Sequence, residues 1–138
     1  MTLHFHELNI WAILVSVVVM MILGALWYSP VLFGNTWLKL IGKKPEDIKK
    51  EDANKSMGFA IIPAILHTLT LALLLNFVHA QTIADGLIVA SLAAVGFIFM
   101  SLFNLVLFED RSFKLTLLNA GYPFCALNII AIILVMWQ

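Results

Sequence analysis

Residues 9–28 read NIWAILVSVVVMMILGALWY, without one Asp, Glu, Lys or Arg. The hydrocarbon core of a bilayer is about 30 Å thick, and a helix crossing it needs about 20 predominantly apolar residues. This run meets that requirement. So do 57–78 and 115–137, both uncharged, and 85–108, whose only charge is Asp85. With no water in the hydrocarbon, backbone groups must pair within each segment, which makes each span a helix. Strands of a membrane barrel would alternate in hydrophobicity over shorter stretches, and these do not. The reading is therefore an all-α polytopic membrane protein. It predicts one domain over 1–138, with four transmembrane helices in one bundle and a loop at 29–56.

Composition agrees. Apolar types make up 62% of the chain, the mean hydropathy is +1.01, and charged types make up 12%, about half the roughly 25% of a soluble domain. A disordered chain and a water-soluble globule are both excluded. Lys and Arg number 8 against 8 Asp and Glu, so no nucleic-acid partner is indicated. One cysteine rules out an internal disulfide framework and a multi-cysteine zinc site. The first span is expected to be kept rather than cleaved as a signal peptide, since residues 1–7 carry no Lys or Arg and the apolar run is long.

The basic residues set the expected orientation. Lys39, Lys43, Lys44, Lys49, Lys50 and Lys55 lie between spans one and two, and Arg111 and Lys114 lie between spans three and four. With four spans these two loops share a side, expected to be cytoplasmic. Both termini then lie outside the cytoplasm, and the protein is a multi-pass component of the inner membrane. Trp11, Trp27, Tyr28 and Trp137 sit near span ends, where amphipathic rings prefer to be. Phe33, Trp37, Leu40 and Ile41 fall at helical spacing and predict a short cytoplasmic interfacial helix. Pro45 and the pairs Glu46–Lys50 and Glu51–Lys55 predict a solvated helix leading into span two.

Two stretches are familiar. LGALWYSPVLFGNTW at 23–37, and FEDRSFKL at 108–115 continuing to NAGY at 119–122, resemble a family of small bacterial four-helix membrane proteins filed as domain of unknown function 1761. The resemblance implies an integral membrane protein of this size. It carries over no reaction, substrate or catalytic residue.

Depth along the spans locates the polar groups. At about 1.5 Å of rise per residue, Asn104 lies roughly 6 Å inside the cytoplasmic end of span three, and Asn119 and Tyr122 lie about 6 to 11 Å inside that of span four. Tyr28 ends span one at the same level, and Glu109 and Arg111 sit just above. Pro63 and Pro123 each remove a helical donor, and kinks there would help open a cavity. The expected site is thus a cytoplasm-facing vestibule of Tyr28, Asn104, Asn119 and Tyr122, with Glu109 and Arg111 at its rim. His67, about 15 Å deep, lies beneath as a gate or proton-responsive element, and an ionisable group at that depth is by default a functional hypothesis. The competing reading makes the Asn and Tyr side chains interhelical glue, the rim pair a headgroup anchor, and His67 a bridge between helices.

Gly86, Ala90, Ala94, Ser101 and Asn104 form one stripe at helical spacing on span three. Span four presents one face with Asn119, Tyr122 and Ala126 and another with Gly121, Cys125 and Asn128. Four helices alone leave little room for a solute path, so these faces point towards a homo-oligomer. His4, His6, Glu7, His79 and Asp85 share the outer side without making a convincing metal site. No cofactor is expected, and Cys125, at mid-membrane depth, is a poor nucleophile. The functional expectation is an oligomeric protein that binds or transports a small solute. The alternative is a structural or accessory subunit that packs with partner helices. An enzyme is not indicated.

Overall fold

The computed structural model describes residues 8–137. Among them there is no strand. The helices are α1 (Ile10–Trp27), α2 (Gly34–Leu40), α3 (Lys50–Phe59), α4 (Ile61–Phe77), α5 (Ile83–Ala93), α6 (Met100–Glu109) and α7 (Phe113–Met136). A short 3-10 turn at Pro45–Asp47 precedes α3, and a wide π-type turn, Ala94–Phe99, joins α5 to α6. Four continuous rods are long and apolar enough to cross a membrane: Ile10–Trp27, Lys50–Phe77, Ile83–Glu109 and Phe113–Met136. The protein is a multi-pass membrane protein.

Val15, Val17, Val18 and Val19 are poor helix formers in water, yet α1 runs through them unbroken. In lipid the only local way to pair their backbone groups is the helix itself. The helix starts are set by side chains. Asn9 accepts from the N–H groups of Trp11 (3.0 Å) and Ala12 (3.3 Å) and donates to the Trp137 carbonyl at 2.9 Å. One amide thus caps α1 and ties the two ends of the bundle's chain together. At the start of α5, Thr82 accepts from the Asp85 N–H at 3.1 Å, and Asp85 accepts in return from the N–H of Thr82 at 2.9 Å, a reciprocal capping box.

The helix ends also have a local cause. After α4 the chain passes through His79 in the left-handed region (φ 53°), the N–H of Ala80 reaching back to the Leu75 carbonyl and that of His79 to Asn76. Gly42 (φ 70°) closes α2 in the same way, with Lys43 donating to Leu38 and Gly42 to Lys39. Such a reversal satisfies carbonyls that would otherwise be orphaned. Pro63 falls in the first turn of α4, just beyond the break at Ala60. Its missing N–H withdraws the usual donor from the Phe59 carbonyl, which is where α3 ends. Pro123 instead lies buried inside α7, which continues through it.

Helix α7 is the centre of the packing, touching α1, α4 and α5, while α4 also packs on α1. Met20, Leu71, Leu75 and Ile130 are almost wholly inaccessible at this junction. Small residues bring α5 close: Ala90 and Ala94 are buried, and a Cβ on Gly86 would stand 2.9 Å from Val135 Cγ2. Outward-facing positions are as apolar as the core. Trp11, Leu66, Leu92, Phe97 and Leu107 are all exposed, an arrangement suited to lipid and unsuited to water. Span two meets span three through α5 and parts from it beyond, leaving a cleft floored by α7.

Candidate functional site

The residues expected to form one vestibule fall into two groups of different character. The first is an aromatic clasp at the lysine-bearing end. Trp27 and Tyr28 finish α1, and the turn after them folds back so that Phe33 N–H donates to the Trp27 carbonyl (3.0 Å) and Gly34 N–H to the Ser29 carbonyl (2.8 Å). Only glycine fits there: a Cβ on Gly34 would collide with the Tyr28 carbonyl oxygen and the Ser29 backbone. The fold-back gathers rings, with Trp27 and Phe33 tilted at 49° and their centroids 4.6 Å apart, and Tyr28 edge-on to Trp37 at 5.4 Å and to Tyr122 at 6.0 Å.

Hydrogen bonds then tie this cluster to α7. Tyr28 donates to Asn119 Oδ1 at 3.2 Å, Tyr122 donates to the Met20 carbonyl at 3.0 Å, and the Trp27 indole N–H donates to the Leu118 carbonyl at 3.0 Å. Gly24 and Gly121 make the approach possible, since a Cβ on Gly24 would press on the Tyr122 hydroxyl at 3.1 Å and one on Gly121 on the Trp27 ring at 2.9 Å. Every phenol and indole donor of α1 and α7 in this cluster is paired. The clasp is closed.

Asn104 does not join it. Its side chain is exposed on α6 and has no hydrogen bond among the described residues. The cause is the wide turn. A π-type turn takes up one extra residue, so the helix beyond it is rotated by about 100° relative to an unbroken α-helix. Gly86 and Ala90 precede the turn, Ala94 opens it, and all three are buried, whereas Ser101 and Asn104 follow it and are exposed. Ser101 donates to the Phe97 carbonyl, covering an acceptor within the turn. Glu109 and Arg111 pair with each other at 3.0 Å, each about half exposed (51%), and such a surface pair contributes little.

The second group lines the cleft between spans two and three. It encloses about 470 Å³ and is bounded by Pro63, Leu66, His67, Thr70, Phe97 and Leu127, among others. Its size lies within the roughly 300–1,000 Å³ usual for small-molecule sites. The walls are almost all hydrocarbon; the polar side chains are the hydroxyl of Thr70 and the imidazole of His67. His67 Nδ1 is sealed from solvent and has no hydrogen-bond partner, while Nε2, not among the sealed atoms, is also unpartnered. Ser16 Oγ and Thr68 Oγ1 are likewise buried without partners, whereas Ser91 donates to Asn128 Oδ1 at 3.0 Å between α5 and α7. Mid-span polar groups therefore include satisfied glue between α5 and α7 and unsatisfied atoms on α1 and α4.

The structure thus brings together Tyr28, Asn119 and Tyr122, sets Pro63 beside His67 in the cleft, and keeps Asn104, Glu109 and Arg111 apart from both. Both faces of span four are taken up inside the bundle, Gly121 by Trp27 and Asn128 by Ser91; Cys125 alone of that set is exposed on the bundle surface. Sequence reasoning missed the cleft and the Trp27 bonds. Gly96 in mid-span was the one local sign of the wide turn, since glycine in a helix interior weakens it. No group of three or more metal-ligating side chains occurs among the described residues; His4, His6 and Glu7 lie outside them.

No curated protein and no solved structure matches this chain. The sequence profile of one family, described as protein of unknown function (DUF1761), matches residues 11–135. That match spans all four rods, the clasp and the cleft, and the chain belongs to this family.

Proposed function

We propose that this membrane protein binds a small molecule dissolved in the bilayer, in the cleft between spans two and three, and passes it towards the lysine-bearing side. The observation that carries the reading is the unpartnered imidazole of His67 in the wall of a cleft of about 470 Å³. A polar atom facing hydrocarbon without a partner costs about 1–3 kcal/mol, so a ligand that pairs with the unsealed Nε2 of His67 recovers that cost. The cleft lies beside Phe97, which is 76% exposed, so a molecule enters sideways from lipid and one bundle suffices without a homo-oligomer. Tyr28, Asn119 and Tyr122 serve in this reading as the rigid clasp that holds α1 to α7, not as the binding site. The lysine-bearing end faces the cytoplasm of an inner membrane, by the sidedness of the basic residues.

The test is a ligand screen by thermal unfolding of the protein in lipid nanodiscs. Lipophilic molecules of suitable size should raise the unfolding temperature, and filling the cleft through Leu127→Trp should abolish the effect. A screen in which no lipophile stabilises the protein, or in which Leu127→Trp responds as strongly as the parent, sinks the proposal. The second reading is an accessory subunit with no chemistry of its own. It draws on the paired state of the clasp, and would be favoured by crosslinking in native membranes that captures one partner helix against the cleft.

A further inference from the structure

The cleft has a chemical preference that its volume alone does not disclose. In an uncharged imidazole one nitrogen carries a hydrogen and the other a lone pair. Nδ1 of His67 is sealed inside the bundle with no acceptor in reach, and Nε2 is not sealed. An N–H locked away without an acceptor forfeits a hydrogen bond, as does a lone pair without a donor. Of the two, an orphaned buried N–H is the rarer in folded proteins, which favours a bare, sealed Nδ1 and a hydrogen on Nε2. With the hydrogen on Nε2, the exposed atom is a donor that any oxygen-bearing lipophile can meet. With the hydrogen on Nδ1, the sealed atom is a donor that nothing can meet.

Thr70, one turn further along the same face and also in the wall, has a hydroxyl that rotates to donate or accept, so it does not discriminate. The remaining lining is hydrocarbon and the Phe97 ring. A lipid acyl chain fills such a space but leaves Nε2 unpaired.

Resting on the cleft reading above, we infer that His67 presents its Nε2–H to the cleft, and that the ligand class is an uncharged, mostly hydrocarbon molecule carrying a carbonyl or ether oxygen as hydrogen-bond acceptor. His67 is then a specificity-determining contact. The apolar walls supply affinity for any lipophile of this size, and the imidazole selects among lipophiles by their oxygen.

The experiment compares two probes of nearly the same shape, benzophenone and diphenylmethane, on the full chain in nanodiscs, at matched concentrations within the lipid. The ketone is expected to bind at least tenfold more tightly than the hydrocarbon. In His67→Phe, which keeps a ring but no N–H, both should still bind and the preference should fall to twofold or less. Nitrogen-15 NMR of histidine-labelled protein, with the His67 signals assigned by their loss in the variant, should give a protonated Nε2 and a bare Nδ1. Equal binding of the two probes, a preference that survives His67→Phe, or a proton found on Nδ1 overturns the inference and leaves the cleft reading standing. If neither probe binds the parent, both fall together.

Discussion

The clasp and the cleft are built on the same central helix, yet they treat polar groups in opposite ways. At the clasp, Tyr28, Trp27 and Tyr122 each find an acceptor at 3.0–3.2 Å, and glycines let rings and backbone into contact. At the cleft, His67 has no partner on either nitrogen, and Ser16 and Thr68 lie buried and unpaired nearby in the α1–α4 core. In hydrocarbon there is no water to make up the difference. Paired groups hold helices together at one end; in the middle, polar groups lie unpaired, and the proposed binding cleft draws on that difference.

The contrast breaks most sharply at Gly34. Gly34→Ala drives a methyl into the Tyr28 carbonyl, and overpacking of this kind costs about 1–3 kcal/mol, occasionally more. We expect the upper end of that range, read as a lower unfolding temperature in detergent; an unchanged temperature would mean the turn is free to shift. Next is the wide turn. Deleting a residue from a regular span turns everything beyond it by about 100°, so removal of Val89 from α5 should strongly destabilise. Deleting Gly96, whose Cβ position meets nothing within 4 Å, should instead close the π-type turn to α-helix and keep α6 in phase. A spin label at Asn104 should then remain as accessible to oxygen in the lipid as before, and a label that becomes protected would refute this account of the turn.

Smaller effects separate paired from unpaired groups. Tyr122→Phe removes the bond to the Met20 carbonyl and should cost about 0.6 kcal/mol, the mean for interhelical bonds in a membrane, and at most about 1.7. Thr68→Val, nearly isosteric, removes a buried hydroxyl with no partner and should stabilise by up to about 1 kcal/mol. Both are read by reversible unfolding in mixed micelles. If Thr68→Val destabilises instead, the hydroxyl has a partner that appears only in the membrane. His79→Gly closes the series: relieving a left-handed non-glycine residue (φ 53°) should stabilise by about 1 kcal/mol or less.

Much of this was legible in the residues. The 20-residue run at 9–28 and its three counterparts announced the rods. The capping box at Thr82 and Asp85 and the left-handed Gly42 came to light only in the structure. Of the site, the depth of Tyr28, Asn119 and Tyr122 was enough to bring them to one level, and their juxtaposition followed. Asn104 shares that depth, but depth does not specify azimuth. Its azimuth depends on whether 94–99 winds as α or π, a choice in which the hydrogen-bonding ladder slips by one residue and of which Gly96 is the one local sign.

Hydrophobic length alone therefore determined that this chain forms four membrane-crossing helices, because lipid permits no other way to satisfy the backbone of so long an apolar segment. The lysine-bearing loops and the position of His67 at mid-depth were equally written in local order. Which helix is central, and that spans two and three part to leave a cleft, was decided only in three dimensions. In a chain apolar on every side, core-facing and lipid-facing residues look alike, so composition carries no signal of facing. Close packing of small residues against α7, and the phase shift at Ala94–Phe99, made that choice.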